Sequence, residues 1–415
     1  MVFLPIPICA KPSKARREMP YESLKTVTEF LDPNKRFQLS QRCPDFYRVD
    51  KVVPLKLDCL RIHSNKTTVN KYTYQVGIYR KYPKGVEVPM VHQKTNLLGG
   101  SAEEIDEYGV EETPKEVIEG DISFGVDTRT DEEQILDLMI QLQRFKLSYT
   151  YTGSEISRQG MERCQDKLMA YTSRRDGIRS PFQRMVQLTT WNRNKKQVKQ
   201  FAYSKDLFMD AKRLLGGMFR GRKVVHIKLL DLEGAFNSFI HLPPELKLRV
   251  EAINIGYLTS EHLDKLAPFL DGPVEVLHTI RRNFDHPIIK SARKLIISSF
   301  PNVIWNANSI ARLPNKWIHI NRINVKDEEE IFIFIQQVIK EWGTEERGPG
   351  TRLSVVIPTT YHIPRILELI KGSLYGERLS TRSIKVQLIT DLTDVHIQLG
   401  PSEHRGETLL QMEII

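Results

Sequence analysis

The chain has 415 residues, of which 40% are hydrophobic, 27% charged and 8% aromatic, and 61 Lys and Arg outnumber 51 Asp and Glu for a net charge of +10. With a mean hydropathy of -0.36, this is the composition of a globular polypeptide of two or three domains, and it excludes low-complexity and collagenous chains. A membrane-spanning helix is not expected either, since the longest apolar runs, such as Ile331 to Ile335, fall far short of the ~20 residues of a helical span.

Residues 1–18 read as a disordered extension. Val2 to Ala10 is apolar, but it has no basic residue ahead of it and is broken by Pro5 and Pro7, unlike a signal peptide. From 19 to 54 the spacing predicts three short helices. Leu24, Val27, Phe30 and Leu31 share one face; Asp32-Pro33 caps and opens a second helix with Phe37 and Leu39, which stops by Pro44; Asp45 to Asp50, with Phe46 and Val49, adds a third. Three such helices cannot bury a large core, so the element needs the following chain or a partner.

Residues 55–98 read as a β-strand segment, with Leu55, Leu57 and Cys59 alternating and Tyr72 to Tyr79 rich in aromatic and β-branched residues. Residues 99–133 carry 13 acidic against 2 basic residues, with Pro114 and Gly120 as breakers, and are expected to form an acidic flexible linker. The sequence on either side is mildly basic without a dense cationic block, which describes solvated surfaces and speaks against nucleic-acid and membrane partners. Residues 134–180 predict a helical hairpin, with stripes Ile135, Leu138, Met139, Leu142, Phe145 and Met161, Cys164, Leu168, Tyr171. That hairpin is either a docking arm or packs on the body of the protein.

Residues 181–415 are expected to form an α/β leucine-rich-repeat-like domain. A strand at Phe182 to Leu188 and a helix capped by Ser204 are followed by strand patterns at Val224–Leu229, Leu248–Ile255, Val274–Leu277, Leu295–Ile297, Trp317–Ile320 and Leu353–Ile357. Helices fall at Ser260–Phe269 and Asp327–Trp342, and the strand starts recur at roughly 20 to 35 residues, as in an irregular solenoid. The fold class is therefore α/β (α+β): a short N-terminal helical element, a helical hairpin and a C-terminal strand/helix solenoid, with an ordinary α/β sheet as the alternative for the last.

No catalytic constellation, metal site or cofactor motif emerges. Cys9, Cys43, Cys59 and Cys164 show no C-x-x-C or zinc spacing and read as free thiols of an intracellular protein, cytoplasmic or nuclear. The sequon Asn65-Lys66-Thr67 carries no weight without secretion. The glycine-rich Gly216 to Lys223 follows a helix and precedes a strand, the reverse of a phosphate loop, and reads as a helix end. In Asn283-Phe284-Asp285-His286-Pro287, Asp285 is expected to cap a short helix opened by Pro287, with His286 on the surface.

Met19-Pro20-Tyr21-Glu22-Ser23-Leu24-Lys25, Leu31-Asp32-Pro33-Asn34-Lys35-Arg36, Gln41-Arg42-Cys43-Pro44, Phe219-Arg220-Gly221-Arg222 and Asn283-Phe284-Asp285-His286 make the chain resemble a nematode-expanded family of divergent F-box-like proteins, the F-box C type, with a C-terminal domain of unknown function. The resemblance covers almost the whole chain from Met19. It implies a non-enzymatic adaptor that docks a Skp-type adaptor and cullin complex through the F-box-like helices and holds an unknown protein substrate for a ubiquitin ligase. The docking residues it implies here are Pro20, Leu24, Val27, Leu31, Phe37, Leu39, Cys43 and Phe46, with Met19 where a leucine is usual and Phe46 near a common tryptophan position. The same eight residues would equally pack a helical cap, leaving a ligase-independent interaction scaffold as the alternative.

Overall fold

The computed structural model describes residues 19–63, 65–112, 121–123, 129–193, 195–203, 206–235, 239–280, 284–298, 303–323, 325–345, 347–358, 362–388, 393–402 and 407–415. It is a mixed α and β fold whose chain divides into two compact units, residues 1–226 with 234–248 and residues 227–233 with 249–415. The expected extension at 1–18 lies outside the described residues. Among the described residues no helix is long and apolar enough to cross a membrane.

The first unit opens with three helices, α1 (Tyr21–Phe30), α2 (Pro33–Arg42) and α3 (Pro44–Val52). Asp32 accepts the Asn34 amide at 2.9 Å and Pro33 supplies the first turn of α2. The break before α3 is steric: Cys43 precedes Pro44 and is extended, at φ -132° and ψ 106°. Strands β1 (Leu55–His63), β2 (Lys66–Val69) and β3 (Tyr72–Lys81) follow as an antiparallel meander. The buried phase of β1 slips from Leu55 and Leu57 to Leu60 and Ile62, where Asn70, at φ +54°, accepts the amides of both Asp58 and Cys59, much as a β-bulge shifts register. The sequon asparagine, Asn65, is buried with its amide donating to the Val76 carbonyl.

Helix α4 (Met90–Leu97) leads into a turn that touches β3. Ile78 and Ser101 exchange backbone hydrogen bonds at 2.9 Å each. The segment expected to be a flexible linker forms β4 (Glu104–Ile105), β5 (Glu111–Glu112) and β6 (Asp121–Ser123), and its Ile105, Val110 and Ile122 are buried; residues 113–120 and 124–128 lie outside the described residues. The acids of this stretch meet the bases of the hairpin, Arg174 binding Asp106 and Lys167 binding Glu111. The hairpin itself is α5 (Asp131–Thr152) and α6 (Glu155–Arg175), started by a Thr130/Glu133 capping box and turned by Gly153 at φ +61°.

Strands β7 (Gln183–Asn192) and β8 (Lys195–Ala202) extend the β3 edge antiparallel. Helix α7 (Leu207–Phe219) is capped by Asp206, which accepts the Met209 amide at 2.8 Å; the expected cap, Ser204, lies outside the described residues. Gly216 and Gly217 sit in its last turn and Gly221 follows at φ +77°, so this segment is a helix end. Strand β9 (Val224–Asp231) carries the chain toward the second unit, and β10 (Phe239–His241) pairs with β6.

In the second unit β11 (Lys247–Asn254), β12 (Val276–Thr279), β13 (Lys294–Ile297), β14 (Trp317–Ile320) and β15 (Arg352–Pro358) lie side by side in chain order and parallel. Helices α8 (Ser260–Leu266), α9 (Pro287–Ser291), α10 (Val303–Ala311) and α11 (Glu328–Thr344) connect them. Leu277, Leu295, Ile318 and Leu353 are register partners and buried, so each strand adds one residue to a continuous apolar row. The strand patterns from Val224 to Ile357 each overlap a strand, with Val274 and Glu275 falling ahead of β12, but the parallel run stops at β15. After α12 (Ile363–Leu374) the chain forms β16 (Glu377–Ser380), β17 (Ser383–Gln387), β18 (Asp394–Pro401) and β19 (Glu407–Ile414), an antiparallel meander whose last strand returns along β15. This closing meander is a departure from a solenoid running to the C-terminus. Among the described residues no helix lies between its strands to set a parallel crossover.

A Cβ built on Gly77 would lie 2.5 Å from the Gly99 carbonyl oxygen and 2.9 Å from that of Ser101. Gly77→Ala is therefore expected to lower the unfolding free energy by about 1–3 kcal/mol through overpacking, measured as an earlier midpoint in denaturant titration. An unchanged midpoint would mean that the turn after α4 is free to part from β3.

Candidate partner-docking surface

The three N-terminal helices are held in the first unit by a buried charge cluster. Arg36 of α2 donates from Nε to Asp50 Oδ1 at 2.6 Å, and its terminal nitrogens reach the carbonyls of Asp50, Val53 and Pro54 at 3.0, 2.8 and 2.9 Å. Arg222, just after α7, binds the other carboxylate oxygen of Asp50 and donates to its carbonyl at 2.6 Å. Ser40 completes the set at 2.7 Å. Two cations thus sit at the C-terminal end of α3, where unpaired carbonyls and the helix dipole both favour positive charge.

Burial lowers the Arg222 guanidinium to about 10, with Asp50 opposing the shift, and it stays charged at neutral pH. Burial and then the Arg222 charge lower Lys51 to about 8. Apolar contacts reinforce the cluster: Phe37 meets Phe219 edge-on with ring centroids 6.1 Å apart. Asn34 donates to the Val69 carbonyl and accepts from the Tyr74 hydroxyl at 2.9 Å, tying α2 to the sheet.

This anchoring sorts the eight docking residues. Phe37 and Phe46 are 3% and 6% exposed and belong to the core of the first unit. Pro20, Val27, Leu39 and Cys43 are exposed, and Leu24 and Leu31 are half-buried. The structure thus separates six accessible positions from two that support them. It adds residues outside the eight: Phe30 is 85% exposed, and Met19, Tyr21 and Tyr47 are exposed as well. In the sequence Phe30 shares the Leu24 face, but α1 buries Thr28 and turns Phe30 and Val27 outward.

Two further surfaces stand out. Helix α5 has no buried residue and exposes Leu136, Met139, Ile140 and Leu147; Met139, expected on the stripe facing α6, points outward. In the second unit, Trp317 lies under the Lys294 ammonium at 3.6 Å, and its indole N–H donates to Ser354 Oγ at 3.1 Å. His319 Nδ1 also meets that oxygen at 2.7 Å. Ser354 is buried, which makes this pair a cross-strand brace.

His286, not Asp285, caps α9. Its Nδ1 accepts the Ile288 amide at 3.2 Å, its Nε2 meets Asp264 at 3.2 Å, and it is buried; Asp285 is exposed and pairs with Lys290. The imidazole can do what a cap carboxylate does because its unprotonated nitrogen is an acceptor. Among the described residues no group of three or more His, Cys, Asp or Glu is placed to hold a metal ion.

Asp50→Ala leaves two buried guanidiniums without their counter-ion and is expected to destabilise the protein by about 3–5 kcal/mol, read from chemical unfolding. Lys51 provides a pH signature. Its folded pKa is about 8, below the usual 10.5, so the unfolded chain holds an extra proton between those values and stability rises with pH across that window. Lys51→Met is expected to remove that rise and to gain stability at pH 7, checked by unfolding titrations at pH 7 and pH 10.

Residues 209–358, from within α7 to the end of β15, match a domain of unknown function, DUF3557. No curated protein and no solved structure matches the chain.

Proposed function

We propose that the protein is a non-enzymatic adaptor, working in the cytoplasm or nucleus, that docks a Skp-type adaptor and its cullin complex through α1 and α2 as a degenerate F-box and presents a protein substrate for ubiquitination. The observation that carries this reading is the outward apolar side of α1. Val27 and Phe30 are 44% and 85% exposed on a helix whose neighbours are locked to the first unit by Asp50. An exposed apolar patch of this kind marks an interaction surface, and a rigid mount lowers the ordering entropy on binding. The F-box C resemblance supplies the identity of the partner, and the second unit, with Trp317 and Lys294 on a braced sheet face, supplies a surface suited to a substrate.

The test is co-purification of the full-length chain with the Skp adaptor and cullin, beside a Val27→Asp/Phe30→Asp double variant. Both positions are exposed, so the variant is expected to keep the wild-type melting temperature and to lose both partners. Failure of the wild type to recover them, under conditions that recover a known F-box protein, refutes the reading. The second reading is a ligase-independent scaffold, favoured by the unburied apolar side of α5. It predicts that a protein partner survives Val27→Asp/Phe30→Asp and is lost with Leu136→Asp/Leu147→Asp.

A further inference from the structure

Helix α5 carries apolar residues on two opposite sides. Its Gln134, Phe145 and Ser148 face α6, where Gln134 accepts the Tyr171 hydroxyl, Phe145 packs on Gly160 and Ser148 meets Ser157 at 2.8 Å. At 3.6 residues per turn, Leu136, Ile140, Gln143 and Leu147 lie on the reverse side. All four are exposed, Leu136 by 59% and Leu147 by 58%. None of the 22 residues of α5 is buried, although a helix that is apolar on two sides is ordinarily covered on both.

The four outward positions are spaced four, three and four apart, the alternation of a coiled-coil seam. That order reads the same in both directions. Aligned antiparallel about a two-fold axis between Ile140 and Gln143, two copies of α5 set Leu136 of each against Leu147 of the other, with the exposed Met139 beside the seam. A two-fold interface requires such self-complementarity, because one patch has to serve both copies.

Charge follows the same symmetry. Residues 131–141 hold Asp131, Glu132, Glu133 and Asp137 and no base, whereas residues 142–152 hold Arg144 and Lys146 and no acid. Asp131 and Asp137 are matched within the chain by Arg174 and Arg129. Glu132, Glu133, Arg144 and Lys146 are exposed and, among the described residues, form no ion pair. A parallel pair would set acid against acid and base against base; an antiparallel pair lays the acidic end of each helix along the basic end of the other.

We infer that the outward side of α5 is the interface of a two-fold homodimer, in which the α5 helices of two copies pair antiparallel. A helix of 22 residues is about 33 Å long, and a strip of that length and one helix wide lies at the small end of specific interfaces. The dissociation constant is therefore expected in the micromolar range. The pairing does not involve α1, so its failure leaves the adaptor reading untouched.

The experiment is sedimentation equilibrium of the purified full-length chain from about 1 to about 200 μM. The mass is expected to rise from 48.1 kDa toward twice that value, and to fall back toward the monomer as salt is raised from about 0.05 to about 0.5 M, which screens the charge pairs. Leu136→Asp/Leu147→Asp should stay monomeric throughout and keep the wild-type melting temperature in dilute solution. Arg144→Glu/Lys146→Glu leaves the apolar seam intact and should weaken the dimer about tenfold; adding Glu132→Lys should recover part of that loss. The inference is overturned by a monomer at every concentration, whether or not α5 then holds a different protein. It is equally overturned by an association that survives Leu136→Asp/Leu147→Asp, that Arg144→Glu/Lys146→Glu leaves unchanged, or that salt strengthens, as it would a parallel pair.

Discussion

Asp50 is the point at which the first unit closes on itself. Its carboxylate and its backbone carbonyl both take hydrogen bonds from Arg36, fourteen positions earlier, and from Arg222, 172 positions later. A short helical element with little core of its own would be marginal in isolation. The charge cluster ties it to the end of α7, and Phe37 against Phe219 seals that contact with apolar surface. Because both guanidiniums and the carboxylate are fully desolvated, the arrangement tolerates no missing member. The N-terminal helices and the remainder of the first unit therefore fold as one cooperative body.

That cooperativity decides which side chains a partner can reach. Helix α2 spends Phe37, Asn34 and Arg36 on anchoring, whereas α1 buries Thr28 and leaves its larger apolar groups outside. An adaptor surface built this way separates support from contact. Changes at Phe37 or Phe46 would act through folding, and changes at Val27 or Phe30 through binding. The distinction matters for interpreting any variant of this element, since both kinds lose the partner and only the second leaves the unfolding transition in place.

The local patterns of the sequence were enough to place most elements. Trp317–Ile320 and Leu295–Ile297 read as strands because β-branched residues cluster between turn signals, and both lie within β14 and β13. The α5–α6 hairpin followed from two apolar stripes around Gly153. The closing meander carries a strand signal of its own, since Val395, Ile397 and Leu399 alternate with polar residues, but a recurring strand-and-helix spacing continues the parallel pattern until topology ends it. The Asp50 cluster left no local trace. Three charged residues spread between positions 36 and 222 have no periodicity, and only the folded chain brings them together. The same holds for His286, whose capping role depends on which ring nitrogen is free to accept.

Arg80 and Asp50 show the two ways this unit carries buried charge. Around Asp50 the chain provides every partner, and the cations are consumed in holding helices together. Around Arg80 the nearby acids are engaged by His92 and Lys167, and the guanidinium rests on the Phe182 ring. An aromatic face returns only part of what a buried cation loses on leaving water. The two sites therefore differ in how completely desolvation is offset: the Asp50 cluster supplies a carboxylate and several carbonyls, whereas Arg80 depends on an aromatic contact and on the field of acids held by its neighbours.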